Sequence, residues 1–189
     1  MSLGGINNKR LVEALQKHGV NAFGFSGIDG GVIEAVRKDK ILVLIDGKRI
    51  IKRDEYSGKI DKVNTQIIEF LTKHKYLPVI ASLAKSKEGD IVNVDGDRAA
   101  NFVARSLNAD ILISLTDVEG IYKDFKDKSS IIKQINLIEL EKLIDKLEGG
   151  MKKKAYAAME AIKNGIKKII ICSGLSQNPI LDALEKNAG

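Results

Sequence analysis

The sequence predicts an α/β protein, a three-layer αβα sandwich around a mainly parallel sheet with one β-hairpin added. Three observations carry this. Short apolar runs alternate with segments whose apolar residues recur at three- and four-residue spacing, the signs of buried strands and amphipathic helices. Strands and helices alternating at this length form βαβ units, whose parallel sheet is covered on both faces. With 189 residues, 44% of them apolar, the chain can bury one sizeable core and is not dominated by disorder.

The elements follow in order. Leu11, Val12, Leu15 and His18 mark a helical face that stops at Gly19, and residues 21–25 form a short strand entering Ser26-Gly-Ile-Asp-Gly-Gly31. Residues 41–45 and 49–51 flank Asp46-Gly47, a two-residue turn signal that predicts an antiparallel hairpin. A helix is expected over 63–73, with Ile67, Ile68 and Leu71 on one side, then a strand over 77–81. The second half predicts a helix at 97–107, a strand at 110–115, helices at 137–147 and 154–162, a strand at 168–172, and a last helix starting at 181–184. Ligands of such sheets sit beyond the carboxyl ends of the strands, which points to the turns after Phe25, Ala81, Leu115 and Cys172.

Composition excludes several classes. The 31 Lys+Arg against 25 Asp+Glu give +6, a mild basic bias that suits an anionic ligand or an acidic partner. It is too dispersed, with aromatics at only 5%, for a nucleic-acid surface. The lone Cys172 can form no internal disulfide, and no Cys/His cluster has metal-site spacing, so no protein-bound metal is expected and a reducing cytoplasm is. Ile41-Leu-Val-Leu-Ile45 is far below membrane-spanning length, and residues 1–10 carry no signal core. His18 and His74 sit at helix ends without a nucleophile beside them, and G-x-S-x-G, G-x-G-x-x-G and the Walker loop are all missing.

Four turns combine glycine with small polar or charged residues. The first, Ser26-Gly-Ile-Asp-Gly-Gly31, reads either as a backbone nest for an anion or as an ordinary loop. Asn93-Val-Asp-Gly-Asp97 aims Asn93, Asp95 and Asp97 the same way just before a helix, with Asp97 as the expected N-cap; an EF-hand would need further ligands. Thr116-Asp-Val-Glu-Gly-Ile-Tyr122 leaves a strand directly and suits a nucleotide pocket, although Tyr122 alone also reads as packing. In Gly149-Gly-Met-Lys-Lys-Lys154 a glycine pair frees donors at the positive end of a helix, where a lysine can reach a phosphate; the segment also reads as a solvated basic helix start, more so for Lys152 and Lys153 than for Lys154.

In this order the four motifs resemble those of the amino-acid kinase superfamily, and within it the acetylglutamate kinase branch. The form Asn93-Val-Asp-Gly-Asp97 and the segment Tyr56-Ser-Gly-Lys-Ile-Asp-Lys-Val63 resemble the kinases that phosphorylate aminoadipate or glutamate attached to a small acidic amino-group carrier protein. The resemblance implies transfer of the ATP γ-phosphoryl group to a side-chain carboxylate, giving an acyl phosphate in arginine or lysine biosynthesis. Such a transfer depends on positioning and charge stabilisation. It implies that Lys154 stabilises the transferring phosphoryl and Asp97 orients the catalytic lysines. Asn93, Asp95, Ser26 and Gly27 would bind the acceptor. Thr116, Asp117, Tyr122, Gly150 and Met151 would bind ATP, whose phosphates hold Mg²⁺. A homodimer is implied too.

The same resemblance implies one incomplete kinase domain over 1–189, with the remainder of the substrate-side half in 1–85 and the nucleotide-binding half in 86–189. The family's Lys-x-Gly-Gly strand, second glycine-rich loop and substrate arginine have no counterpart among these residues. The chain is therefore expected to be the later part of a longer fold, with little or no activity by itself. Residues 37–62 hold nine Lys/Arg (37, 38, 40, 48, 49, 52, 53, 59, 62) against five Asp/Glu (39, 46, 54, 55, 61), a net +4 that reads as a docking surface for an acidic carrier or as a solvated hairpin. Two alternatives stand beside this function. One is a non-catalytic nucleotide-binding remnant, and the other is a superfamily kinase for carbamate, UMP or isopentenyl phosphate.

Overall fold

The computed structural model describes residues 2–45, 48–53, 56–124 and 126–186. The chain is mixed α/β with parallel strand pairs, and it divides into two compact units, Met1–Leu107 and Asn108–Gly189.

The first unit opens with a π-helical turn, Leu3–Asn7, that runs into α1 (Asn8–Lys17). α1 ends where predicted. Gly19 adopts φ 77°, Val20 N–H donates back to Leu15 O and Gly19 N–H to Gln16 O, the Schellman closure that a left-handed glycine permits. β1 (Ala22–Ser26) pairs in parallel with β6 (Leu77–Ala81), from Ala22↔Leu77 to Ser26↔Ala81, and α1 packs on both strands. Between them lie β2 (Ile33–Arg37), β3 (Lys40–Ile45), β4 (Lys48–Arg53), β5 (Gly58–Val63) and α2 (Gln66–Lys73). β3 and β4 form the predicted antiparallel hairpin, in register from Lys40↔Arg53 to Ile45↔Lys48. Its Asp46-Gly47 turn lies outside the described residues, as do Asp54 and Glu55.

Four strands were not predicted. β2, β5, β7 (Leu83–Ser86) and β8 (Ile91–Asn93) make a sheet of order β5-β2-β7-β8, antiparallel except for β2 with β7. Each is short and buries alternate residues: Ile33 and Ala35, Gly58 and Ile60, Ala84 and Ser86, and Val92. Such one-face alternation is weaker than a continuous apolar run. The helix expected from 63 therefore starts at Gln66, because Val63 closes β5 against Ile33. Ile33, Val32, Val92 and Ala84, all 0% exposed, sit at the centre of the core, and α3 (Gly96–Ser106) packs on β5.

The second unit is built on β9 (Ile111–Thr116) and β10 (Lys168–Ser173), a parallel pair in register from Ile111↔Lys168 to Thr116↔Ser173. α4 (Leu137–Ile144) starts with a full capping box: Asn136 Oδ1 accepts from Glu139 N–H at 3.0 Å and Glu139 Oε2 accepts from Asn136 N–H at 3.2 Å, a device worth about 1 kcal/mol. α5 (Gly149–Lys163) begins five residues ahead of the predicted start. Its buried face is Met151, Ala155, Ala158 and Ala161, and the three small alanines let the helix lie close to α4 and β10. α6 (Pro179–Lys186) packs on β9 and β10.

Candidate functional site

In the first unit the expected acceptor-side residues occupy two neighbouring strand ends. β1 delivers Ser26 and Gly27 to a turn in which Gly30 and Gly31 take φ 61° and 63°, conformations that favour glycine. The turn is not an open nest. The Asp29 carboxylate folds back and accepts from Ser26 N–H at 2.7 Å and from the Ser26 hydroxyl at 2.8 Å, while Gly27 N–H donates to Ala81 O at 3.1 Å. Gly27 allows a close approach: a Cβ there would collide with the Leu83 carbonyl oxygen and meet Ile33 Cδ1 at 2.6 Å. Asp29 was quoted in the motif but assigned no role. The signal for it was a carboxylate three residues beyond Ser26, the spacing that closes a turn onto backbone donors.

The Ser26 N–H, then the Ser26 hydroxyl, hold the Asp29 carboxyl below its ordinary value of 3.8, with Lys9 adding to the effect against some desolvation. A carboxyl whose folded pKa is depressed lends stability that is complete above the unfolded value and lost as pH falls through the folded value. Asp29→Asn is therefore expected to lower the urea midpoint at pH 7, and the pH-dependent part of that difference should vanish in acid below the folded value. A gap that stays constant from neutral pH into acid would mean the charge contributes nothing.

Asn93 and Asp95 point outward between the buried Val92 and Val94, as their period-two spacing requires. Asn93 N–H donates to Tyr56 O at 2.6 Å and Val94 N–H to Ser82 O at 3.1 Å, which seats the motif next to the residue after β6. The expected cap is corrected. α3 starts at Gly96, so Asp95 is the N-cap, accepting from Arg98 N–H at 3.0 Å, and Asp97 lies inside the first turn, where its charge complements the helix dipole.

In the second unit Thr116 and Asp117 sit at the carboxyl end of β9. The Thr116 hydroxyl donates to Asp117 Oδ1 at 2.9 Å, and Gly174 N–H donates to Thr116 O at 2.8 Å. The Thr116 hydroxyl, the residue's own backbone and the Lys154 ammonium all hold the exposed Asp117 carboxyl below its usual range. Lys154 of α5 thus lies within electrostatic reach of Asp117. The helix takes in the glycine pair, with Gly149 at φ 55°, so Lys154 stands in its second turn rather than at its start. Gly150 occupies the first turn, whose N–H groups receive no side-chain cap from Glu148.

Tyr122 and Met151 are core residues, 6% and 8% exposed. The Tyr122 hydroxyl donates to Glu119 Oε2 at 3.3 Å, and burial followed by the Glu119 charge pushes its pKa up. Packing, the plainer of the two readings of Tyr122, describes its place. His18 and His74 are the C-caps of α1 and α2, the helix-end positions expected for them. Desolvation, then Asp182, push the Cys172 thiol up, the opposite of what a thiolate nucleophile needs.

Comparison with known proteins is consistent across sequence and structure. The profile of the amino acid kinase family matches residues 1–173. A LysW-aminoadipate kinase of Thermus thermophilus is 35% identical over 182 residues, covering 95% of this chain and 68% of that protein. An acetylglutamate kinase of Campylobacter jejuni is 38% identical over 174 residues, covering 92% of this chain and 58% of that protein. Among solved structures, N-acetylglutamate synthase of Neisseria gonorrhoeae, complexed with coenzyme A and N-acetylglutamate, superposes with a TM-score of 0.74 at 24% identity, covering 92% of this chain and 37% of that one. That last likeness is one of fold.

Proposed function

The chain belongs to the amino acid kinase family, and from that premise we propose that it takes part in ATP-dependent phosphorylation of a side-chain carboxylate in arginine or lysine biosynthesis, in the cytoplasm. The acceptor is aminoadipate or glutamate carried on a small acidic protein, with free acetylglutamate as the second choice. One observation carries the reading: the Thr116 hydroxyl and the Asp117 carboxylate are bonded to each other at the carboxyl end of β9, with Lys154 of α5 within electrostatic reach of Asp117, and the carboxyl ends of strands are where an α/β sheet binds ligands. The acceptor preference rests on the Asn93-Val-Asp-Gly-Asp97 form and on relatives of both names.

In the reaction one acceptor carboxylate oxygen forms a bond to the γ-phosphorus of ATP while the bond from that phosphorus to the β,γ-bridging oxygen breaks and ADP leaves. Lys154 meets the charge that spreads over the phosphoryl oxygens, and its half-buried position strengthens that interaction relative to water. The Gly150 N–H in the first turn of α5 faces phosphate with the positive end of the helix. Thr116 and Asp117 border the nucleotide, while Tyr122 and Met151 hold the walls from within the core. In the other unit Asn93 and Asp95 grip the acceptor's amino-acid end, and Ser26 and Gly27 bound it. A carboxylate is already ionised, so no general base is required.

Among the described residues no group of three or more His, Cys, Asp or Glu could hold a metal ion. A magnesium ion would come in on the ATP phosphates, since that ion keeps waters and few protein carboxylates. It would neutralise phosphate charge there. No helix among the described residues is long and apolar enough to cross a membrane.

The test is calorimetry with ATP·Mg²⁺ followed by hydroxylamine trapping of the acyl phosphate with acetylglutamate and with carrier-bound aminoadipate or glutamate as acceptors. The proposal expects nucleotide binding, and a small yield of hydroxamate, in keeping with the catalytic groups that have no counterpart among these residues, with the carrier-bound acceptor in preference to the free one. Binding without hydroxamate from any acceptor would favour the non-catalytic nucleotide-binding alternative, and no binding at all would remove both.

A further inference from the structure

The join between α1 and the β1–β6 pair has more polar fixing than packing requires. Asn8 is the buried residue of α1, only 5% exposed. Its amide nitrogen donates to Phe25 O on β1 at 3.2 Å and to Val79 O on β6 at 2.9 Å, so one side chain ties both parallel strands. Two carbonyl acceptors can be met only by the NH₂ end, which settles the amide's orientation. The other end is then left over: Asn8 Oδ1 is buried with no hydrogen-bond partner. A buried acceptor without a donor is costly, and here that cost accompanies a clamp across two strands. Gly24 makes room for it, because a Cβ at that position would collide with Asn8 Oδ1 and meet Val12 Cγ2 at 2.5 Å.

The next residue continues the clamp. Lys9 Nζ donates to Gly24 O at 2.5 Å, so consecutive side chains of α1 hold consecutive carbonyls of β1, immediately ahead of Ser26. From there the order passes on through short bonds: Asp29 takes both Ser26 donors, Gly27 N–H meets Ala81 O, and Ile33 N–H donates to Gly27 O at 2.6 Å. The π-wound Leu3–Asn7 turn presses on the same place, where a Cβ on Gly4 would lie 2.7 Å from Leu83 Cδ1 and 3.7 Å from Ser26 Cβ.

We propose that Asn8 and Lys9 are positioning residues, which lock the carboxyl end of β1 against β6 so that the turn of residues 26–31 offers its groups to the acceptor in a single geometry. The acceptor half of this statement rests on the proposed function; the locking of the turn does not. Neither side chain touches the reacting atoms, and both act through the backbone of β1.

The experiment compares Lys9→Met, which keeps the stem and removes the ammonium, with Asn8→Ala, by residue-resolved hydrogen exchange and by steady-state kinetics with acceptor and ATP varied separately. Loss of one hydrogen bond from a charged donor corresponds to about a tenfold change or more. In Lys9→Met the Gly27 and Ile33 amides should exchange about tenfold faster while β9 and β10 amides keep their rates and the melting temperature falls by only a few degrees, and the acceptor KM should rise with the ATP KM unchanged. Asn8→Ala should do the same more strongly. Unchanged exchange at Gly27 and Ile33, equal acceleration in β9 and β10, or equal shifts in both KM values would overturn the proposal. If Asn8→Ala fails to fold, Lys9→Met decides alone. If the unsubstituted chain uses no acceptor, the function falls, and exchange at Gly27 and Ile33 still decides whether the turn is locked.

Discussion

Replacing Lys154 by alanine is expected to lower acyl-phosphate formation by about 10²–10³-fold, the usual loss when one donor to a developing charge is removed. The same substitution should weaken ATP·Mg²⁺ binding by about tenfold or more, since a hydrogen bond from a charged group is worth about 1.5–3 kcal/mol. The reason is local. Lys154 is half-buried in the second turn of α5 and acts electrostatically on Asp117 at the end of β9, so alanine removes a positive charge that acts on that strand end. Ala155 and Ala158, which fix the helix to its core, are untouched, and the melting temperature should move little. Lys152→Ala on the same helix serves as the comparison. Calorimetry and hydroxamate trapping give the two numbers, and equal nucleotide affinity in the Lys154→Ala and unsubstituted chains would sink the assignment.

The largest effect on stability is expected from Ile33→Ala, at about 2–5 kcal/mol. Ile33 is 0% exposed at the centre of the first unit's core. Truncation leaves a void in a close-packed cluster of core side chains, which relaxes only partly. It also reaches the site, because Ile33 N–H holds Gly27 O and the Ile33 side chain lies under Gly27, close enough that a Cβ there would touch it. Urea unfolding should therefore show a large fall in midpoint for the transition of Met1–Leu107. Ile33→Val, which removes one methyl group, should cost only about 0.5–1.5 kcal/mol. Similar losses from both would mean that cavity volume is not the determinant.

Legibility in the sequence followed the kind of burial each element undergoes. β6, β9 and β10 read correctly because Leu77-Pro-Val-Ile-Ala81, Ile111-Leu-Ile-Ser-Leu115 and Ile169-Ile-Ile171 are apolar runs broken at most by a single Ser, the mark of strands covered on two faces. β2, β5, β7 and β8 bury single residues between charged ones such as Glu34, Lys59 and Lys85, and three or four alternations do not rise above chance. The start of α5 was hidden by Gly149-Gly150, since glycine ordinarily punctuates a helix; here the pair lies within its first turn. The cap of α3 went to Asp97 instead of Asp95 because both lie close to the helix start, and only the backbone turning at Gly96 distinguishes them.

Ordered chemistry is what the sequence determined by itself. Four motifs in register, Ser26 to Gly31, Asn93 to Asp97, Thr116 to Tyr122 and Gly149 to Lys154, identify the family, because each places small, polar or charged groups directly after or before an apolar run. Tertiary structure decided which of those groups meet. Asp29 fills the turn that the glycines open, Lys154 acts electrostatically on Asp117, Tyr122 turns into the core, and Asn8 and Lys9 reach across to β1 from a helix that carries no motif. These contacts join residues far apart along the chain or depend on φ at one glycine. Their energies come from desolvated hydrogen bonds and excluded volume, which exist only once the strands are packed.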